Sequence, residues 1–255
     1  MPFQKIELDR VAVNVISQIE QLILRGIIRP GERLPSERDL AERMGVSRPS
    51  LREAISLLQD KGLLTTKANA GVFVAELLGA PFSVPLTDLF STHDEAVFDY
   101  ISFRSDLEGM AAERAANLGS ETDLKVIKAI FVKMQAVHEL KDPDQEASLD
   151  AEFHMAIIEA SHNVFLLHMV RSMFEMLKKG VFYNRQIMFS RHTARGALLE
   201  QHRAICNAIQ NRNPKAARKA AEDHMDFIKA CMEEVKKAEA NEMIAKLRLD
   251  HTETN

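Results

Sequence analysis

The chain has 255 residues, of which 46% are hydrophobic and 27% charged, with two cysteines and a net charge of -4. That length and balance suit one or two globular domains with substantial cores, and they exclude disordered, collagenous and disulfide-stapled classes. No apolar run approaches the roughly 20 residues that span a bilayer, and Cys206 and Cys231 lack Cys-x-x-Cys spacing, which points to a reducing compartment.

The opening MPFQKIELDR carries charges where a secretory leader needs an apolar stretch, so the expectation is a cytoplasmic protein. Charge is unevenly spread: residues 1–75 hold 11 Lys+Arg against 9 Asp+Glu, and the remainder holds 22 against 28. A positive N-terminal part permits nucleic-acid binding without demonstrating it. Asp9 to Arg25 predicts a first helix with Val11, Val15, Ile16, Ile19, Leu22 and Ile23 on one stripe. IIRPGERLP follows as an extended piece through a Pro-Gly turn. Ser36 precedes Glu37, Arg38 and Asp39 in a capping-box-like start, and Gly45 closes that helix. Ser47 caps the next, which has Pro49 in its first turn and Leu51, Ala54, Ile55 and Leu58 inward, and ends at Lys61-Gly62. Leu63–Lys67 and Val72–Val74 then pair around Ala68-Asn69-Ala70-Gly71. Two helices and a hairpin, the second helix opening on arginines, are the layout of a winged helix-turn-helix.

Residues 76–93 shift to Gly79, Pro81, Pro85, serines and threonines and predict a linker. Beyond it, helices are predicted at roughly 94–117, 121–139, 144–161, 163–189, 192–211 and 214–240, with 241–255 as a polar tail. The fold class is therefore mainly α: a winged helix-turn-helix over 1–75 and an all-α bundle over 94–240.

Ser47, Arg48, Ser50 and Arg52 crowd the first turn of the second reader helix. Free N–H groups and the helix dipole attract phosphate there, arginine offers a fork to guanine, and short hydroxyls let the backbone approach. Arg38 in the preceding helix and Lys67 at the wing complete the candidate DNA set. A solvated arginine face is the bland alternative, but the order of elements is less generic. LPSERDLAERMGVSRPSLREAISLLQDKGLL closely resembles the winged-helix signature of the GntR family of bacterial transcription regulators. The resemblance implies that Arg38, Ser47, Arg48, Ser50 and Arg52 contact operator DNA. Many members carry glycines in the wing where this chain has Ala68-Asn69-Ala70-Gly71, which leaves less room for close minor-groove approach.

In the helical part, Asp150 and His154 are i and i+4 and leave one helix face together. His202 and His224 each project from an apolar stripe, with Ile205 and Ile209 after one and Phe227 and Ile228 after the other. Three imidazoles and a carboxylate converging in a bundle core can hold Zn²⁺, Ni²⁺ or Mn²⁺. Spacing alone is a weak signal, because nine histidines offer many triples and a lone core histidine is usually just hydrogen-bonded. The region also resembles the FadR-type, or FCD, sensor domain, whose metal-binding members use an Asp-x-x-x-His pair and two later histidines. Asp150, His154, His202 and His224 match all four.

Arg104, in FRSDLEGMAAERAA, shares an inward face with Ile101, Leu107 and Ala111. The plain alternative is a surface ion pair with Glu108 at i+4. The resemblance implies that Arg104 looks into a ligand cavity and clamps a carboxylate, with Asn184, in GVFYNRQ, as a neutral partner. Cys206 and Cys231 read as small buried fillers.

The expectation is a homodimeric repressor that binds double-stranded operator DNA and releases it on binding a small carboxylate effector at the metal. IIEASHNVFLLHMVRSMFEML is most similar to regulators of lactate utilisation and of the pyruvate dehydrogenase complex. L-lactate or a related 2-hydroxy acid is therefore the first choice and pyruvate the second, with glycolate and sugar acids open. A purely structural metal is an alternative, and a metalloenzyme a remote one, since no general base stands at a motif spacing beside the four. No membrane partner is expected.

Overall fold

The computed structural model describes residues 10–67, 70–76, 93–178 and 192–253. The chain divides into two compact units, residues 1–81 and 82–255. The expected linker falls almost wholly outside the described residues, as do Ala68 and Asn69 of the wing and Asn184. Among the described residues no helix is long and apolar enough to cross a membrane.

The first unit comprises α1 (Arg10–Leu24), α2 (Glu37–Met44), α3 (Arg48–Asp60), β1 (Leu64–Lys67) and β2 (Gly71–Val74). Its core gathers Ile19, Leu51 and Leu58 with Ala12, Ala54 and Leu64. Each large apolar side chain buried there contributes roughly 1.5–3 kcal/mol. The α1 stripe begins one residue later than the sequence suggests: Val11 is exposed and Ala12 fully buried, because a 3.6-residue turn carries 12, 15, 16, 19 and 23 inward together. Ser36 and Ser47 cap α2 and α3 through their side chains, accepting from the Asp39 and Ser50 amides. Gly45 ends α2 at φ 64, a left-handed conformation that costs glycine little. β1 and β2 run antiparallel from Leu64 opposite Val74 to Lys67 opposite Gly71. The Pro-Gly piece adds a third rung, as Arg33 bridges to Phe73 and the Leu34 amide donates to the Val72 carbonyl.

The second unit is helical: α4 (Asp94–Leu118), α5 (Glu121–Leu140), α6 (Pro143–Ala160), α7 (Val164–Lys178), α8 (His192–Gln210) and α9 (Pro214–Glu253). α4 packs along α9, and α6 and α8 close the bundle with α5. Ala111, Ala112, Ala115 and Ala116 of α4 and Ala217 and Ala221 of α9 belong to one core around Phe131, Phe153 and Ile158. Small residues bring the α4 and α9 backbones close, and a Cβ on Gly109 would already meet Glu222 Cγ at 3.1 Å.

The last helix differs from expectation. It continues past residue 240 to Glu253, for 40 residues in all. NEMIAKLRLDHTE holds no glycine or proline to stop a helix, and Glu242 and Lys246 pair at i,i+4, which supports an exposed helix. Residues 241–249 are all exposed, Met243, Ile244, Leu247 and Leu249 among them: a helix with apolar side chains where a polar, frayed tail was expected.

Candidate metal centre and DNA-reading helix

In the helical unit, Arg104 and Glu108 come from α4, Asp150 and His154 from α6, Gln201 and His202 from α8, and His224 from α9. Asp150, His154, His202 and His224 are all buried, and one ligand atom from each lies within 4.8 Å of the others. His202 Nε2 stands 3.0 Å from Asp150 Oδ1 and 3.3 Å from His154 Nε2. His154 Nε2 stands 3.5 Å from Asp150 Oδ1. Donors that each hold a cation at about 2.0–2.2 Å sit roughly 3.0–3.6 Å apart, so these separations suit a shared divalent ion. His224 supplies the clearest sign. Its Nδ1 donates to Gln201 Oε1 at 2.9 Å, which leaves the Nε2 lone pair facing inward, buried and without a hydrogen-bond partner. A histidine ligand with its other nitrogen held by an acceptor is the usual arrangement at metals.

Arg104 does not lie on the surface. Its Nε donates to Glu108 Oε1 at 2.7 Å, with only 10% and 7% of the two side chains exposed. Glu108 Oε2 lies 2.6 Å from His154 Nδ1, close but off hydrogen-bond alignment. Arg104 Nη2 is buried with no hydrogen-bond partner. Glu108 and Gln201 are the residues that sequence reasoning missed. The first had a signal, an acidic residue one turn from Arg104 on an inward face. The second had none, since it serves His224 and not its chain neighbour His202.

The charges follow from these contacts. Burial works against ionisation of Glu108, but Arg104 and His154 outweigh it and hold the carboxyl far below the usual range. Burial also opposes a charge on His154, yet the Glu108 and Asp150 carboxylates raise its pKa above the ordinary imidazole value. Burial, then the His202 and His154 rings, pushes His224 well below it. Glu108 thus places a carboxylate beside the cluster, from a helix with no motif spacing to the four. A small cavity, with room for about one water, is lined by Glu108 and His154 and by Ala111, Ile157, Ile158 and Ile205. Cys206 is fully buried, as a filler should be.

In the reader unit, Ser47, Arg48 and Arg52 are exposed and Ser50 is half-buried at the start of α3. Ser47 and Ser50 hydroxyls meet at 2.9 Å. Arg52 Nε lies 2.6 Å from Glu37 Oε2, so that guanidinium is already engaged. Arg38 is 80% exposed and touches Asp39 loosely at 3.6 Å. Lys67 Nζ sits over the Phe73 ring at 4.6 Å. The candidate DNA residues thus fall on α2, the start of α3 and the wing.

A winged helix with an arginine-bearing second helix, joined in one chain to a helical cage of histidines, defines a DNA-binding regulator. Residues 11–74 match the family model "Bacterial regulatory proteins, gntR family" and residues 99–227 match the FCD domain. The chain is 35% identical to the Glc operon transcriptional activator of Escherichia coli (strain K12), covering 87% of this chain and 88% of that protein. An operon regulator of the same organism named for L-lactate dehydrogenase is 32% identical, over 96% of this chain and 95% of its own. The HTH-type transcriptional regulator LutR of Bacillus subtilis (strain 168) is 31% identical, over 80% of this chain and 93% of its own. A solved structure described as Streptococcus agalactiae GntR shares the fold at a TM-score of 0.52 and 23% identity, over 86% of this chain and 99% of that one. The chain belongs to the GntR family and carries an FCD domain: it is a DNA-binding transcriptional regulator and not an enzyme.

Proposed function

We propose that this regulator senses a small carboxylic acid through a divalent metal held by Asp150, His154, His202 and His224. The observation that carries the reading is the buried Nε2 of His224, which has no hydrogen-bond partner and belongs to a four-donor cluster. His202 Nε2 stands 3.0 Å from the Asp150 carboxylate, a separation that two ligands of one cation would share. The Nη2 of Arg104 supports the same reading, being a buried N–H group that lacks an acceptor and suits a carboxylate oxygen. Zn²⁺, Ni²⁺ and Mn²⁺ all suit three imidazoles and a carboxylate. L-lactate or a related 2-hydroxy acid is the effector we favour, because its carboxylate and hydroxyl would chelate such a metal. Pyruvate comes second, and glycolate and sugar acids follow. Asn184 remains the proposed neutral partner.

Residues 1–75 serve as the reader, with Arg38, Ser47, Arg48, Ser50, Arg52 and Lys67 toward operator DNA. Residues 94–240 serve as the effector and dimerisation domain, 76–93 link them, and the protein works in the cytoplasm as a homodimer on paired half-sites. Effector binding shifts operator affinity only through its preference for one arrangement of the readers over another. We favour a repressor released by its effector. The similarity to a protein named as a transcriptional activator motivates the opposite sign as the second reading.

Thermal melts test the metal chelate. Saturating Zn²⁺ at about 100 times its Kd adds roughly 2.7 kcal/mol, and L-lactate adds a further upward shift only while metal is present. Equal lactate shifts before and after chelation would overturn the chelate, and no shift with metal would overturn the metal site. Operator gel shifts against lactate, pyruvate, glycolate and sugar acids then identify the effector and the sign of its effect.

A further inference from the structure

We propose that Glu108 is the positioning residue that couples anion binding at Arg104 to metal binding through His154. The inference rests on the metal and carboxylate reading above and adds the link between them. One buried carboxylate has two partners from different helices: Arg104 Nε at 2.7 Å on its own helix and His154 Nδ1 at 2.6 Å across the bundle. A carboxylate charge 2.6 Å from Nδ1 favours the proton on that nitrogen, which leaves Nε2, 3.5 Å from Asp150 and 3.3 Å from His202, as the ligand atom. A carboxylate behind a histidine ligand fixes its tautomer and raises its basicity. Arg104 draws on the same carboxylate, and its Nη2 has no hydrogen-bond partner. An anion arriving at Nη2 takes over part of the neutralisation of Arg104, so more of the Glu108 charge acts on His154. The metal then binds more tightly, and by reciprocity the metal tightens the anion. Without this link, Glu108 would merely neutralise a buried arginine.

The test measures Zn²⁺ affinity by competition with a chromophoric chelator, with and without L-lactate, on the full chain. The wild type, Glu108→Gln and the double variant Arg104→Gln/Glu108→Gln are compared at one pH, with far-UV circular dichroism confirming that each is folded. We expect Glu108→Gln to bind Zn²⁺ roughly 10–100-fold more weakly, the usual loss for a group behind a ligand. Lactate should tighten Zn²⁺ binding in the wild type by more than in either variant, where direct chelation remains but the Glu108 link is gone. If Glu108→Gln does not fold because it leaves Arg104 uncompensated, the double variant, which removes both charges, decides. Weak Zn²⁺ binding there supports positioning by Glu108, and wild-type affinity there reduces Glu108 to a counter-ion and overturns the inference. A wild type that binds Zn²⁺ with no dependence on lactate overturns the coupling while leaving the metal site standing. A wild type that binds no Zn²⁺ overturns both.

Discussion

Among the described residues of the helical unit, two arginine–glutamate pairs are buried, each beside a histidine, and they end differently. In the first, Arg195 Nε donates to Glu146 Oε2 at 2.8 Å and Nη2 to Glu146 Oε1 at 2.6 Å. Nη2 also reaches the His138 carbonyl at 2.9 Å, and His138 Nδ1 lies 3.1 Å from Glu146 Oε1. That fork is filled on both sides and ties α5, α6 and α8 together. In the second, Arg104 spends one nitrogen on Glu108, and both its Nη2 and the neighbouring His224 Nε2 have no hydrogen-bond partner. A buried polar atom without a partner costs roughly 1–3 kcal/mol. The same residue types therefore close a structural joint in one place and hold donors in reserve in the other.

The comparison breaks most visibly at the closed cluster. Glu146→Ala leaves Arg195 buried without its carboxylate and should cost about 3–5 kcal/mol in urea unfolding, with Zn²⁺ affinity unchanged; a loss below 1 kcal/mol would mean that the joint is not structural. At the open cluster, His202→Ala should lower Zn²⁺ affinity by more than the roughly 100-fold expected for an outer residue. The metal-free protein should lose stability as well, because His202 is buried against Phe153 and Asp150, and chelator competition and melts separate the two effects. Outside both clusters, Arg48→Ala should weaken specific operator binding by about 1–3 kcal/mol and leave metal-dependent melts untouched; an unchanged footprint would remove Arg48 from the contact set.

The smallest effect lies at the start of α5. There Ser120 and Asp123 form a reciprocal cap, and His162 Nε2 lies 2.9 Å from the same carboxylate. Asp123→Ala should cost about 1 kcal/mol. Partial burial would raise the Asp123 carboxyl, but the Ser120 hydrogen bonds and His162 hold it below its usual value. Its contribution is therefore complete above about pH 4 and fades as pH falls through the depressed value, which acid unfolding of wild type and variant should show.

The helices were legible because apolar spacing, Ser36, Ser47, Ser120 and Asp142 mark their faces and starts. Asp150 and His154 were legible as a pair, since i,i+4 spacing fixes a shared face. That His202 and His224 join them depends on how α8 and α9 pack, which spacing does not carry; the family resemblance supplied it. The burial of Arg104 was legible from its inward face, but that of Glu108 beside it was hidden for a different reason. An i,i+4 ion pair looks the same in sequence on a wet face and a dry one, and only the alanine-lined approach of α4 to α9 makes it dry. The end of α9 was misjudged because polar composition reads as a tail even where nothing in it breaks a helix.

The contact of Arg52 with Glu37 bears on how such a reader responds to ionic strength. A lysine or arginine that faces only solvent gives up condensed cations from the duplex when it meets a phosphate, and each such contact steepens the fall of affinity with salt. Arg52 reaches a phosphate only by exchanging a carboxylate 2.6 Å away, and Glu37 is then left near the duplex with its own charge to screen. The logarithmic salt slope should therefore be shallower than the arginines of this surface suggest, and Glu37→Gln should steepen it while tightening binding at low salt.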